Sequence, residues 1–299
     1  MNAHISLPDA EIHYKTRGRG PVLLLLVGGD GDADAYDRVS AELDAYFTVV
    51  THDRRGLSRS TRAVTDDVIA DHADDAAAVL AAVTDEPAFV FGSSIGGVIA
   101  LELLARHPHA VRMAVVHEPP IATMLPEPGR TEFTRAQLEV EAAFRADDIP
   151  AAMGRFARLV QLDPADHEPE VTPRPAGANR PDNLRRFLGV DAPAVRRYRL
   201  DRDALDRDKG RVVAVVGATT TGVVAQCAHT LGAAIGARAV TFPGGHTGPT
   251  QHPRAVGRAL RGLLLDGVAG VGGQAGQHAA RELSATDAPA SRQAHRGDS

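Results

Sequence analysis

Through the first 120 residues, short apolar runs alternate with stretches whose apolar positions recur at helical spacing. His4 to Leu7 and Glu11 to Thr16 flank the turn Pro8-Asp9-Ala10 and predict an opening hairpin. Val22 to Val27 is apolar throughout, the pattern of a strand buried on both faces. Helix spacing at Tyr36 to Leu43, a strand at Phe47 to Thr51 and an Ala-rich helix at Val68 to Val83 follow. Then come a strand at Ala88 to Phe91, a helix at Val98 to Arg106 and a strand at Val111 to Val116. Such alternation predicts an α/β fold with a doubly wound, mostly parallel sheet.

After Pro119-Pro120 the pattern changes. From residue 121 to 209 no strong strand is legible; helix-like stretches (Thr134 to Arg145, Ala151 to Leu162, Asn183 to Gly189) surround prolines clustered between Asp163 and Pro181. This predicts a helical lid inserted after the sixth strand. Alternation resumes with strand Val212 to Val216, helix Val223 to Ile235, strand Ala239 to Phe242 and helix Pro253 to Leu265. The expected organisation is therefore a core from residues 1–120 and 210–265, a lid at 121–209, and a tail at 266–299 too poor in large apolar residues to order.

Composition narrows the partners. A net charge of −5 gives no electrostatic reason to bind nucleic acid, and acids interleave with bases in Asp201-Arg202-Asp203 and Asp206-Arg207-Asp208. The one cysteine, Cys227, excludes an internal disulfide and reads as a small buried apolar residue. No apolar run reaches membrane-spanning length and no secretory segment opens the chain, so a cytoplasmic setting is expected. No His, Cys or Asp cluster has metal-ligand spacing, and no cofactor is implied. Oligomeric state has no signature in the sequence.

The chemistry centres on Gly92-Ser93-Ser94-Ile95-Gly96, a G-x-S-x-G at a strand-to-helix junction. A sharp turn there holds the Ser94 hydroxyl clear of the backbone, at a helix start that favours negative charge. A serine needs a base, and among 13 histidines His246 alone follows a late strand end, after Pro243-Gly244-Gly245. His107, His109, His229 and His252 lie on or beside helices and read as surface residues. The base needs an anion. The loop after Val212 to Val216, where that acid usually stands, reads Gly217-Ala218-Thr219-Thr220-Thr221-Gly222 and holds no carboxylate. Glu118, ending the strand Val111 to Val116 and stiffened by Pro119-Pro120, is assigned instead, with Asp206 and Asp208 as fallbacks. Backbone N–H groups of Ile95 and Gly29 are the candidate oxyanion donors. Gly28-Gly29-Asp30-Gly31 lacks the Lys and Ser/Thr of a phosphate loop. Asp53-Arg54-Arg55-Gly56-Leu57-Ser58-Arg59-Ser60 reads as a structural loop at the rim, with Arg54 or Arg55 against Asp53.

Taken together, these residues resemble the α/β-hydrolase superfamily: Gly92 to Gly96 as nucleophile elbow, Val27-Gly28-Gly29 as oxyanion loop, Asp53 to Ser58 after the fourth strand, and Gly245-His246. The likeness spans about residues 1 to 120 and 210 to 265. Val116-His117-Glu118-Pro119-Pro120 is similar to the branch containing zearalenone lactonases, whose acid is a Glu after the sixth strand. Those lactonases set a lid tryptophan against their substrate, and this chain has none. The resemblance implies a cofactor-free hydrolase of a small carboxylic ester or lactone acting through an acyl-enzyme. A carbon–carbon bond hydrolase or a cofactor-free perhydrolase would use the same triad, and a non-catalytic binding protein would keep the scaffold alone.

Overall fold

The computed structural model describes residues 1–29, 31–61, 68–169, 171–172 and 177–269, with side chains to 265. Met1–Ala259 is one compact unit; the second begins at Leu260 and, as far as it is described, continues the last helix. The tail expected to be disordered, 266–299, lies largely outside the described residues.

Eight strands form one sheet: β1 (Asn2–Ser6), β2 (Glu11–Gly18), β3 (Val22–Leu26), β4 (Thr48–His52), β5 (Ala88–Ser93), β6 (Val111–His117), β7 (Val212–Gly217) and β8 (Val240–Phe242), in the order β1-β2-β4-β3-β5-β6-β7-β8. β1, β2 and β4 pair antiparallel and every later pairing is parallel. β3 and β5 are buried at almost every position, as continuous apolar strands covered on both faces must be. β1 alternates exposed and half-buried positions, as an edge strand does.

Helices α1 (Asp37–Leu43), α2 (Val68–Ala81) and α3 (Ile95–Arg106) fall where the spacing predicts. One difference matters: α3 starts three residues before the expected Val98, directly behind Ser94. Between β6 and β7 the regular elements among the described residues are helical: α4 (Gly129–Arg145), α5 (Ile149–Leu159), α6 (Arg180–Arg186), a π-helical turn at Phe187–Asp191, α7 (Ala192–Arg197) and α8 (Arg202–Asp208). The last two are too short for a periodic signal to emerge from sequence. α9 (Gly222–Ala234), the single turn α10 (Gly248–Gln251) and α11 (Pro253–Ala269) are the last helices of the described residues.

Strand order reverses direction at β3, which has β4 on one side and β5 on the other. In open α/β sheets the crevice beyond the strand ends at such a point is where ligands bind. Gly28 and Ser94 both lie there, following β3 and β5.

Candidate active site

Ser94 stands between β5 and α3 with φ 57° and ψ −124°, a backbone conformation that costs a non-glycine residue about 1–3 kcal/mol. The flanking glycines make the corner possible. A Cβ on Gly92 would lie 2.1 Å from the Gly96 carbonyl oxygen, and one on Gly96 would lie 2.1 Å from that of Leu26. The corner is pinned from the next strand, because Ser94 N–H donates to the His117 carbonyl at 2.9 Å. Ile95 opens α3, so its N–H has no intrahelical acceptor.

Glu118 is the residue after β6, and it too has positive φ, 47°. Its N–H still donates to Val215 of β7 at 3.0 Å, so the ladder holds the backbone while the turn redirects the side chain. Within the protein that carboxylate is fully buried. Oε1 accepts from Gly217 N–H at 2.7 Å, and Oε2 meets His246 Nδ1 at 2.7 Å. Burial alone would push the carboxyl up, but the His246 contact, the charges of His117 and His246 and the Gly217 N–H bring it down to about 2. The anion is thereby kept, and it fixes the His246 tautomer with hydrogen on Nδ1, leaving Nε2 as the free nitrogen. His246 follows β8 through Gly244, at φ 75°, and both it and Ser94 are 8% exposed.

Ser94, Glu118, His246, Ile95 and Gly29 thus all stand at the carboxyl ends of β3, β5, β6 and β8. Asp208 instead pairs with Arg211 beside the amino end of β7. Ser94, Ile95 and Pro120 share a pocket with Phe133, Val140, Phe156 and Phe187 of the helical segment. Gln137 also lines it, and its buried side-chain oxygen has no hydrogen-bond partner among the described residues.

Several supporting residues escaped the sequence reading. His117 Nδ1 lies 2.9 Å from Ser93 Oγ, and burial drives that imidazole down to about 4, so near pH 7 it is uncharged and it gains charge beside Glu118 only in acid. The loop after β4 differs from expectation: Asp53 pairs with Arg59, at 2.6 Å, while Arg55 reaches Asp75 at 2.6 Å. Arg54 is 2% exposed and bonds the carbonyls of Val27, Gly28 and Gly29 at 2.8, 2.6 and 3.0 Å. It also bonds Asp191 Oδ2 in the π-helical turn at 3.0 Å. A signal existed for Asp191, an acid framed by apolar residues from Phe187 to Val195. His252, expected at the surface, is half-buried and meets Asp166 Oδ1 at 2.7 Å; Asp166 Oδ2 accepts from Thr219 Oγ1 at 2.7 Å. Cys227 is buried, as expected. Among the described residues no cluster of three or more His, Cys, Asp or Glu is arranged to hold a metal, and no helix is long and apolar enough to cross a membrane.

Fold and site define an alpha/beta hydrolase, and the chain belongs to that family. A model of the alpha/beta hydrolase fold matches residues 21–167. The uncharacterized hydrolase YraK of Bacillus subtilis (strain 168) is 32% identical over 272 residues, covering 88% of this chain and 96% of its own. Two solved structures share the fold at lower identity. Est816, an N-acyl homoserine lactone degrading enzyme, gives a TM-score of 0.67 at 23% identity, over 87% of this chain and 100% of that one. The carboxylesterase CesB (YbfK) from Bacillus subtilis gives 0.60 at 19%, over 89% and 92%.

Proposed function

We propose that this hydrolase cleaves a small carboxylic ester or lactone through an acyl-enzyme on Ser94. The observation that carries the reading is the 2.7 Å contact between the buried Glu118 carboxylate and His246 Nδ1, on the same sheet edge as the strained Ser94 corner. His246 Nε2 takes the Ser94 proton as Oγ attacks the acyl carbon, and Glu118 stabilises the imidazolium that forms. N–H groups of Ile95 and Gly29 receive the tetrahedral oxyanion. The imidazolium then protonates the leaving alkoxide, and a water deprotonated by the same histidine releases the acid. No step requires a cofactor.

A Glu at the end of β6, in place of an acid after β7, supports kinship with the branch that contains zearalenone lactonases. The helical segment 121–209 serves as the lid, and its Phe133, Val140, Phe156 and Phe187 suit an apolar acyl or ring portion. Gln137 adds one hydrogen-bonding group to that wall. Such a pocket is compatible with the lactone and ester substrates named for Est816 and CesB; its one charged lining residue among the described residues, Glu141, is paired with Arg196.

A fluorophosphonate probe with short p-nitrophenyl esters and lactones tests the reading. Labelling at Ser94 and turnover are expected in the wild type. Turnover vanishes in Ser94→Ala, and in Glu118→Gln it falls by about 10³ to 10⁴, as when the anion behind a catalytic histidine is neutralised. Labelling without turnover of any ester or lactone would favour a binding protein, and wild-type rates in Glu118→Gln would overturn the acid.

A further inference from the structure

From this geometry we infer that Arg54 is a positioning residue for the oxyanion hole, and that Asp191 couples it to the helical segment. The inference rests on the ester-hydrolase reading for its kinetic consequence, though not for its structural one.

Three consecutive carbonyls, those of Val27, Gly28 and Gly29, accept from a single guanidinium, within 2.6 to 3.0 Å. In a trans peptide the C=O and the following N–H point in opposite directions. A Gly28 carbonyl turned to Arg54 therefore turns the Gly29 N–H away from it. The same loop leans on the nucleophile: a Cβ on Gly28 would lie 3.7 Å from Ser94 Cβ. Gly28 and Gly29 have no side chains of their own to fix their peptide planes, so the guanidinium supplies the order that the sequence lacks. Two nitrogens of a rigid, planar group bind four acceptors here, which an ammonium on a flexible stem cannot reproduce.

Asp191 completes the arrangement from the other side. Its carboxylate is fully buried, bonds Arg54 at 3.0 Å and lies 3.5 Å from His72 Nε2. Without that anion the guanidinium would be a buried charge satisfied only by carbonyl dipoles. Asp191 ends the π-helical turn that begins with Phe187, and Phe187 both lines the substrate pocket and packs 3.2 Å from where a Gly29 Cβ would stand. One short turn therefore touches the substrate wall, the oxyanion loop and the residue that orients it.

The test uses the full chain. In Arg54→Met/Asp191→Leu no buried charge is left unpaired, so the fold is retained. Per fluorophosphonate-labelled site, its kcat on p-nitrophenyl butyrate is expected to fall about 100-fold, the scale of losing one oxyanion donor, with KM within about threefold. Arg54→Lys, which keeps the charge, is expected to lose at least about tenfold and gives the answer should the double variant fold poorly. In both, glycine-selective ¹⁵N spectra should show the Gly28 and Gly29 resonances displaced. Wild-type kcat with unmoved Gly28 and Gly29 resonances in Arg54→Lys would overturn the inference. A wild type that neither labels nor turns over would instead sink the ester reading, while displaced glycine resonances would still uphold Arg54 as the loop's organiser.

Discussion

Two carboxylates reach from the helical segment to the two loops that carry the proposed chemistry, in opposite surroundings. Asp191 reaches the oxyanion loop through Arg54 and is fully buried; Asp166 reaches the loops around His246 through His252 and Thr219 with 22% of its side chain exposed. Each is held in its charged form against the pull of burial. The first is brought to about 2 chiefly by Arg54 and His72, and the second is lowered by Thr219 and His252. The difference is what water does when the contact breaks. It can solvate either half of the outer clasp, whereas a broken inner clasp leaves a charge stranded in the core.

The largest expected effect follows from that stranding. Arg54→Ala leaves Asp191 buried without its cation and should cost about 3–5 kcal/mol, a Tm decrease on the order of 10 °C for a chain of this size, read by calorimetry. Adding Asp191→Leu to an Arg54→Met background should recover most of that loss, since the removal of both charges is often neutral or favourable. A double variant as unstable as the single one would show that the inner clasp is worth more than its avoided penalty.

Acid provides the next separation. Folded His52 and His117 have pKa values lowered by burial to about 3 and about 4, below the imidazole's usual 6.5. Their contribution to stability is full above pH 6.5 and is lost as pH falls toward those values, because the unfolded chain binds the protons first. Glu118 and Asp191, at about 2 against ordinary values of 4.5 and 3.8, add a second loss between roughly pH 4.5 and 2. Urea midpoints should therefore hold steady above neutrality and fall in two stages on acidification. The lower stage should shrink in the double variant, and a profile flat from pH 7 to 3 would contradict both shifts.

Least is expected of the outer clasp. Asp166→Asn should change stability by less than about 1 kcal/mol, and ester turnover by less than about fivefold. If it proved as damaging as Arg54→Ala, the contrast between the two would fail.

What the sequence revealed and what it hid divides along the same line. Val22 to Val27, Ala88 to Phe91 and Val212 to Val216 announce their strands because a strand covered on both faces must be apolar throughout. The proposed site residues Ser94, Glu118 and His246 stand out in the sequence because each follows a strand end in a glycine- or proline-marked turn. Arg54 was not, since nothing local tells an arginine pairing with Asp53 from one that reaches 137 positions along the chain to Asp191. α7 and α8 were missed for a related reason: six- and seven-residue helices, Ala192–Arg197 and Arg202–Asp208, are held by what they pack on.

At the end of β7 the Gly217 N–H donates to Glu118. Just beyond it, Thr219 and Thr221 donate to Asp166 and Gln161 at 2.7 and 3.0 Å. A loop held to the segment between β6 and β7 in this way is a tether, so Thr219→Ala or Thr221→Ala should loosen that segment while leaving the Glu118–His246 contact intact.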